Sequence, residues 1–140
     1  MTKRKKIYIA GCGGMLGEAF YTVFKKDYDL LCTDIDVNDD WLRYLDFRDY
    51  DAYRKDVEDF KPDYLFHLGA YTDLEYCELN PDDTYATNTM SVENATYIAN
   101  SMDIPLLYIS TAGIFDGAKD LYDDWDRPNP LGHYARSKYA

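Results

Sequence analysis

The feature that most constrains the fold is a short apolar run that leads directly into regularly spaced glycines. Lys6–Ala10 has the length of a buried strand, and Gly11, Gly14 and Gly17 follow it in a GxxGxxG pattern. The next segment, Met15–Lys26, carries apolar residues at helical spacing. Those expected to face the sheet are Leu16, Ala19, Phe20 and Val23. A strand, a glycine turn and a helix in this order predict the first unit of a parallel α/β sheet.

Apolar periodicity predicts that strands and helices alternate along the rest of the chain. We expect further strands at Asp29–Asp34, Tyr44–Leu45, Tyr64–Leu68 and Leu106–Ser110. We expect further helices at Arg48–Phe60, Asp82–Met102 and Tyr134–Ala140, and a loop from Thr111 to His133. This alternation predicts one α/β domain, residues 1–140, with a doubly wound parallel sheet of the Rossmann type. The expected strand order is 3-2-1-4-5, with a ligand crevice where the first and fourth strands part.

The three glycines fit a dinucleotide-binding loop. Gly11 would permit the tight turn out of the strand, Gly14 would let the backbone approach a pyrophosphate, and Gly17 would let the helix pack close to the sheet. The start of the helix adds unpaired N–H groups and the positive end of its dipole, which favour phosphate. The alternative is a glycine-rich turn without a ligand. Cys12, inside the turn, is expected to be a small structural residue and not a redox group.

Asp34 ends the second predicted strand, where an acid can accept hydrogen bonds from the adenosine ribose hydroxyls. A preference for NADP(H) would require a cation near the 2′-phosphate. The residues that follow, 35–40, include no Lys or Arg. The sequence therefore favours NAD(H), with NADP(H) as the alternative cofactor.

Tyr134 and Lys138 share one face at the start of the last predicted helix. An ammonium group beside a phenol favours the phenolate, which allows a tyrosine to exchange a proton with a carbonyl oxygen near neutral pH. Ser110 or Thr111, at the end of the preceding strand, could hold the same oxygen. The same YxxxK spacing occurs at Tyr21, late in the first helix, where it is expected to be a surface pair.

Composition limits the partners and the compartment. The net charge of −11 argues against nucleic acid and anionic membranes as partners. Three cysteines without CxxC spacing suggest reduced thiols and a cytoplasmic location. The basic segment Met1–Lys6 is not expected to be an export signal, because the apolar run after it is short. Its Lys3–Lys6 run is expected to be a solubilising lead-in and not a nuclear or polyanion-binding tag. No metal site is expected: the acidic loop 120–126 lacks a calcium-binding order, and His67 and His133 are expected to be structural.

The order of these residues resembles that of the extended short-chain dehydrogenases/reductases. The likeness is strongest to the dTDP-4-dehydrorhamnose reductases and related nucleotide-sugar reductases. The stretches that carry it are Lys61-Pro62-Asp63, Ala70-Tyr71-Thr72, Tyr85-Ala86-Thr87-Asn88, Ile109-Ser110-Thr111, Phe115-Asp116-Gly117, Pro128-Asn129-Pro130-Leu131 and Tyr134-Ala135-Arg136-Ser137-Lys138. They span most of the chain, and the late motifs are the most specific.

The resemblance implies a role for each matched residue. The implied dinucleotide-binding residues are Gly11, Gly14, Met15, Leu16 and Gly17 for the pyrophosphate, Asp34 for the ribose, Asp46 and Phe47 for the adenine, and Gly69, Ala70, Tyr71, Tyr134 and Lys138 for the nicotinamide ribose. The implied catalytic residues are Thr111, Tyr134 and Lys138. Tyr134 would donate the proton, Lys138 would activate it, and Thr111 would bind the substrate carbonyl.

The implied reaction is the reduction of a keto group on a nucleotide-activated sugar with a hydride from NAD(P)H. Two alternatives stay open: an epimerase, and a non-catalytic NAD(P)-binding regulatory subunit that resembles the beta subunit of methionine adenosyltransferase. A dehydratase is disfavoured, because Ala112-Gly113 stands where an Asp-Glu pair is expected. A homodimer is one assembly open to the full-length protein.

Two departures from the family pattern affect the expected substrate and activity. Relatives usually carry Asp-Tyr after the Ser-Thr pair, and Ala112-Gly113 removes that polar side chain from beside Thr111. Relatives also bind the sugar nucleotide with a C-terminal half, which is expected to lie outside this chain. Because an isolated helix as short as Tyr134–Ala140 is unstable in water, Lys138 is expected to be frayed and residues 1–140 alone to be inactive.

Overall fold

The computed structural model describes residues 3–140, and its centre is a parallel sheet of five strands. The strands are β1 (Lys6–Ala10), β2 (Asp29–Asp34), β3 (Leu42–Tyr44), β4 (Tyr64–His67) and β5 (Leu106–Tyr108). Their order is β3-β2-β1-β4-β5. Ile9 of β1 pairs with Cys32 of β2 and with Phe66 of β4, so β1 is the central strand. The predicted fold class and strand order are confirmed.

The helices are α1 (Met15–Phe24), α2 (Tyr50–Phe60), α3 (Leu74–Leu79), α4 (Pro81–Tyr85), α5 (Ser91–Met102) and α6 (Gly132–Tyr139). A π-helix, Ala86–Met90, joins α4 to α5, so the helix predicted at Asp82–Met102 is one helical run with a π-helical segment inside it. Helix α3 was not predicted, because six residues are too few for an apolar period to show. The predicted loop after β5 also contains a 3-10 turn at Ala112–Ile114.

Two apolar clusters fill the space on the two sides of the sheet. The first contains Tyr8, Ala10, Leu45, Tyr53, Val57, Leu65, Ala95, Ile98 and Ala99 and packs α2 and α5 against the sheet. The second contains Ile7, Ile9, Cys12, Cys32 and Leu42, with Phe20, Tyr21 and Phe24 of α1 packed on it. Because β1 is covered on both sides, its residues form a continuous apolar run and do not alternate with polar ones.

The face of α1 that meets the sheet differs from the predicted one. Gly17 is buried, whereas Leu16 and Val23 are 44% and 61% exposed. A Cβ at Gly17 would overlap the backbone of Cys12, so the helix makes its closest approach there. That contact turns Phe20, Tyr21 and Phe24 toward the sheet in place of Leu16, Ala19 and Val23.

Several element ends also differ from the predicted ones. Strand β3 lies at Leu42–Tyr44 and not at Tyr44–Leu45, because the buried Leu42 pairs with Cys32. Strands β4 and β5 end earlier than predicted, at His67 and Tyr108, where the chain leaves the sheet.

Helix α6 is packed at its C-terminal end, and the expectation that Lys138 would be frayed is wrong. The hydroxyl of Tyr108 donates to the carbonyl of Lys138 over 3.1 Å, and the Thr89 hydroxyl donates to the carbonyl of Ser137 over 2.7 Å. Lys138 itself is 7% exposed. These contacts with β5 and the π-helix supply the tertiary packing that an isolated helix lacks.

The start of the basic N-terminal segment, residues 1 and 2, lies outside the described residues. Two of its other members bond the backbone: Arg4 donates to the carbonyls of Lys25 and Tyr28, and the Lys6 ammonium donates to the carbonyl of Phe60. Across residues 3–140, no helix has the length and apolar character needed to cross a membrane.

Candidate functional site

A cleft of about 600 Å³ lies at the carboxyl ends of β1, β2, β4 and β5, at the predicted crevice. Its walls include every residue predicted to bind the dinucleotide: Gly11, Gly14, Met15, Leu16, Gly17, Asp34, Asp46, Phe47, Gly69, Ala70, Tyr71, Tyr134 and Lys138. Residues far apart in the sequence therefore meet around one space of the size that small-molecule ligands occupy.

The three glycines of the loop differ in what surrounds them. A Cβ on Gly11, whose φ is +75°, would overlap the backbone of Gly69, and a Cβ on Gly17 would overlap the backbone of Cys12. A Cβ on Gly14 would meet no protein atom within 4 Å. Packing within the protein thus explains why residues 11 and 17 are glycines. It does not explain Gly14, which lines the cleft and has open space at its Cβ position. Gly14 is also the N-cap of α1 and has no side chain to cap it, so the first-turn N–H groups are free to bind an anion.

Asp34 is oriented by the glycine loop. One carboxylate oxygen accepts from the Gly13 N–H at 2.9 Å, and the other accepts from the Asp36 N–H at 3.0 Å. The loop is fixed to the same strand, because the N–H groups of Gly11 and Cys12 both donate to the carbonyl of Thr33. The negative charge of Asp34 therefore has a defined position beside the glycine loop.

The cleft wall contains a cation that the sequence analysis did not anticipate, Arg48. Its guanidinium contacts the carboxylate of Asp46 at 3.3 Å and that of Asp83 at 3.0 Å. Burial opposes ionisation of Asp46, but the hydrogen bonds from Arg48 hold its pKa below the usual value. Two carboxylates thus compensate the charge of Arg48. No feature of the local sequence indicated this cluster, because Asp83 comes from α4.

Asn88 is a second residue that the sequence analysis did not assign to the site. Its side chain accepts from the N–H of Tyr71 at 2.7 Å and donates to the carbonyl of Tyr71 at 2.9 Å. The same amide nitrogen lies 3.1 Å from Oγ of Ser137. Asn88 thus ties the segment after β4 to helix α6. The signal that could have identified it was a polar residue on the inward face of a predicted helix.

Tyr134 and Lys138 line the same cleft from helix α6. Burial lowers the pKa of Lys138 to about 8. Its ammonium nitrogen lies 4.5 Å from the centroid of the Tyr108 ring, a cation–π distance that offsets part of the cost of burying a charge. A lysine in this state can carry its proton near neutral pH and release it readily.

Thr111 does not line the main cleft with Lys138, but it shares a second pocket with Tyr134. It lines a neighbouring pocket with Tyr134, Gly113 and Glu78, whereas Ser110 lines the main cleft. The Thr111 hydroxyl accepts from the N–H of Gly113 at 3.1 Å. Tyr134 is therefore shared by the two spaces, and Thr111 faces the second one.

His67 is a structural residue of the core. It is fully buried, with Nδ1 2.9 Å from the Tyr53 hydroxyl and Nε2 3.0 Å from the Ser91 hydroxyl. Burial and the nearby charge of Lys138 lower its pKa to about 3, so the ring is neutral near pH 7. His133 differs: its backbone N–H donates to the carboxylate of Glu78, and its ring Nδ1 has no hydrogen-bond partner within residues 3–140.

The remaining candidate residues lie outside the cleft or are inert. The Tyr21 ring is stacked on Trp41 at 4.1 Å and packs on the second apolar cluster, so it is not the surface residue that was expected, and this YxxxK match lies outside the cleft. The neighbouring thiol of Cys32, together with burial, raises the pKa of Cys12 and disfavours its thiolate. Within the described part of the chain, no group of acidic, histidine and cysteine side chains is arranged to hold a metal ion.

Two curated relatives match nearly all of this chain, and in each the match covers less than half of the relative's own length. The probable low-salt glycan biosynthesis reductase Agl14 of Haloferax volcanii is 26% identical over 94% of this chain and 45% of its own length. Methionine adenosyltransferase 2 subunit beta of Danio rerio is 30% identical over 98% of this chain and 42% of its own length. This chain therefore spans less than half the length of the curated relatives that it matches.

A solved structure shows the same arrangement. The dTDP-4-dehydrorhamnose reductase of Bacillus anthracis, crystallised with NADP, superposes with a TM-score of 0.89 at 26% identity, over 99% of this chain and 48% of that one. Residues 5–140 match the RmlD substrate binding domain family. The match covers almost every described residue, and this chain belongs to that family.

Proposed function

We propose that this chain is the dinucleotide-binding part of an NAD(P)-dependent reductase that acts on a keto group of a nucleotide-activated sugar. The observation that carries the proposal is that a single cleft contains the glycine loop, Asp34 and the Tyr134/Lys138 pair. The similarity to reductases named for glycan and dTDP-rhamnose chemistry supports the same reaction class.

The cleft residues fit a dinucleotide at both ends. The first-turn N–H groups of α1 would bind the pyrophosphate beside Gly14, and Asp34 would accept hydrogen bonds from the adenosine ribose. Lys138 would bind the nicotinamide ribose. When bound, the reduced nicotinamide supplies the hydride. NADH is the preferred form, because Asp34 would repel a 2′-phosphate and the charge of Arg48 is already compensated.

Tyr134 would donate the proton that the keto oxygen takes up as its carbon is reduced to an alcohol. Lys138 lies one turn further along the same helix and lines the same cleft, so its ammonium would stand near the negative charge that the proton transfer leaves on the Tyr134 oxygen. Thr111, in the pocket that shares Tyr134, would bind the same oxygen. The substrate would therefore enter from the second pocket and the dinucleotide from the main cleft.

The test is Tyr134→Phe in the full-length protein, assayed with NADH and a panel of 4-keto nucleotide sugars. The expected result is a fall in kcat of about 10²–10⁴-fold with NADH binding retained. Tyr21→Phe is the matched control, because it removes the hydroxyl of the other YxxxK match outside the cleft. Unchanged turnover in Tyr134→Phe would show that another group donates the proton. Residues 1–140 alone are proposed to bind the dinucleotide without turning over a sugar nucleotide.

A non-catalytic regulatory subunit is the second candidate. The relative from Danio rerio named as an adenosyltransferase subunit favours it. If the protein is a regulatory subunit, we expect the full-length protein to bind NADH but to turn over no keto sugar. Turnover that depends on Tyr134 would exclude it.

A further inference from the structure

One buried hydroxyl in the wall of the cleft has no partner and no role in the mechanism above. Thr87 is 6% exposed and lines the cleft. Its Oγ1 has no hydrogen-bond partner among residues 3–140. Buried hydroxyl groups in proteins are almost always hydrogen-bonded, because an unpaired one forfeits its hydration. A polar ligand in the cleft would provide the missing partner.

The other threonines of this helical run show that Thr87 is exceptional. Thr84 donates to the carbonyl of Asn80 at 2.8 Å, Thr89 to that of Ser137 at 2.7 Å, and Thr96 to that of Val92 at 2.8 Å. Each of these three hydroxyls bonds a carbonyl, on the preceding turn or, for Thr89, on helix α6. The Thr87 hydroxyl lacks that bond and lies in the π-helical segment, a local geometry that is frequent at functional sites.

The backbone of residue 87 is held in place without its hydroxyl. The Ser91 hydroxyl donates to the carbonyl of Thr87, and Ser91 is itself bonded to His67. The adjacent Asn88 bonds both Tyr71 and Ser137. Residue 87 is therefore fixed between the segment after β4 and helix α6, at the Tyr134/Lys138 end of the cleft.

We propose that Thr87 is a dinucleotide-binding residue whose hydroxyl hydrogen-bonds the nicotinamide-ribose half of the cofactor. The proposal rests on the proposed function, since it takes the ligand to be a nicotinamide dinucleotide. The Thr87 hydroxyl can act as donor or acceptor, and ribose hydroxyl and carboxamide groups can satisfy either role.

The experiment measures the Kd of this chain for NADH and for ADP, which lacks the nicotinamide half. Thr87→Val keeps the shape of the side chain without its hydroxyl, and we expect it to weaken NADH binding by about three- to tenfold and to leave ADP binding unchanged. Thr84→Val is the matched control, because it removes a buried hydroxyl of the same helical run outside the cleft. Circular dichroism verifies the fold of each variant.

A second pair of variants keeps the test decisive if valine disturbs the fold. Thr87→Ser and Thr87→Ala differ only in the hydroxyl, and we expect serine to bind NADH more tightly than alanine. If Thr87→Val bound NADH as tightly as Thr84→Val, and Thr87→Ser as tightly as Thr87→Ala, the role of Thr87 would be overturned and the proposed function would stand. Equal weakening of NADH and ADP would also overturn the role of Thr87, because the hydroxyl would then not contact the nicotinamide half. If the unmodified chain bound neither ligand, the proposed function would itself be wrong.

Discussion

Gly11 and Gly69 lie back to back where β1 and β4 part, and no Cβ fits between them. A Cβ on Gly11 would overlap the Cα and the amide nitrogen of Gly69. A Cβ on Gly69 would in turn overlap the ring of Phe47. The floor of the cleft is thus formed by two backbones in contact, with an aromatic ring packed over the second.

Gly11→Ala should destabilise the chain by about 2–4 kcal/mol, because it combines backbone strain with a steric overlap. Gly117→Ala separates the two effects: Gly117 also has a positive φ, +78°, but no atom within 4 Å of its Cβ position. We expect Gly117→Ala to lower the free energy of unfolding by only about 1–2 kcal/mol. Urea unfolding measures both free energies. Equal losses would mean that the contact with Gly69 contributes nothing.

Gly14→Ala should affect dinucleotide binding much more than stability. Gly14 has φ −95° and ψ −173°, which any residue adopts, and open space around its Cβ position. We expect the free energy of unfolding to fall by only about 0.5–1 kcal/mol, the cost of alanine at an N-cap position. The Kd for NADH should rise at least about tenfold, because the methyl group would stand where the pyrophosphate approaches the backbone. Unchanged affinity would contradict a ligand-based reason for this glycine.

NADH should bind more tightly than NADPH, and Asp34→Asn should narrow the difference. Two unit charges about 4 Å apart repel by about 1–4 kcal/mol near a protein surface, so removing one should change the ratio of the two Kd values about tenfold. Titrations at one ionic strength measure the ratio. Asp39→Asn is the control, since Asp39 is exposed and does not line the cleft. A tighter Kd for NADPH in the unmodified chain would refute the prediction.

Lys138 should make the chain more stable as the pH rises from about 8 to 10.5. Burial lowers its folded-state pKa to about 8, whereas the unfolded chain keeps the ordinary value of 10.5. Between these values the unfolded state binds more protons, so the free energy of unfolding increases with pH. Below pH 8 both states are protonated and the full cost of the buried charge is present.

Lys138→Met removes this titration and should stabilise the chain by roughly 1–3 kcal/mol at pH 7. The quantity to measure is the difference in unfolding free energy between the two proteins from pH 7 to 10. It should shrink as the pH rises. A constant difference would mean that Lys138 is not held in a desolvated position.

Much of the site was predictable because its main parts are local. The glycine loop and Asp34 lie at the ends of β1 and β2, and Tyr134 and Lys138 are four residues apart on one helix. The fold brings these three parts together around one cleft. Arg48 and Asn88 were not predictable in the same way. Their roles come from partners on distant elements, Asp83 for Arg48 and Ser137 for Asn88.

The packed end of helix α6 shows a second limit. Helix propensity and length alone indicated that α6 would fray, because neither accounts for the tertiary contacts of the helix. The buried positions of Ala135, Ser137 and Lys138 result from contacts with β5 and the π-helix. The inward face of α1 was predicted incorrectly for a related reason: hydrophobicity alone does not reveal that a glycine makes the closest approach.

The polar chain from Tyr53 through His67 and Ser91 to the carbonyl of Thr87 begins in the core and ends in the wall of the cleft. A wall anchored in this way can open only when the core opens, so its amide protons should exchange with solvent as slowly as those of β1 and β4. Substitutions along this chain would change folding and ligand affinity together. Evolution could therefore adjust this part of the cleft only within the stability that the core can spare.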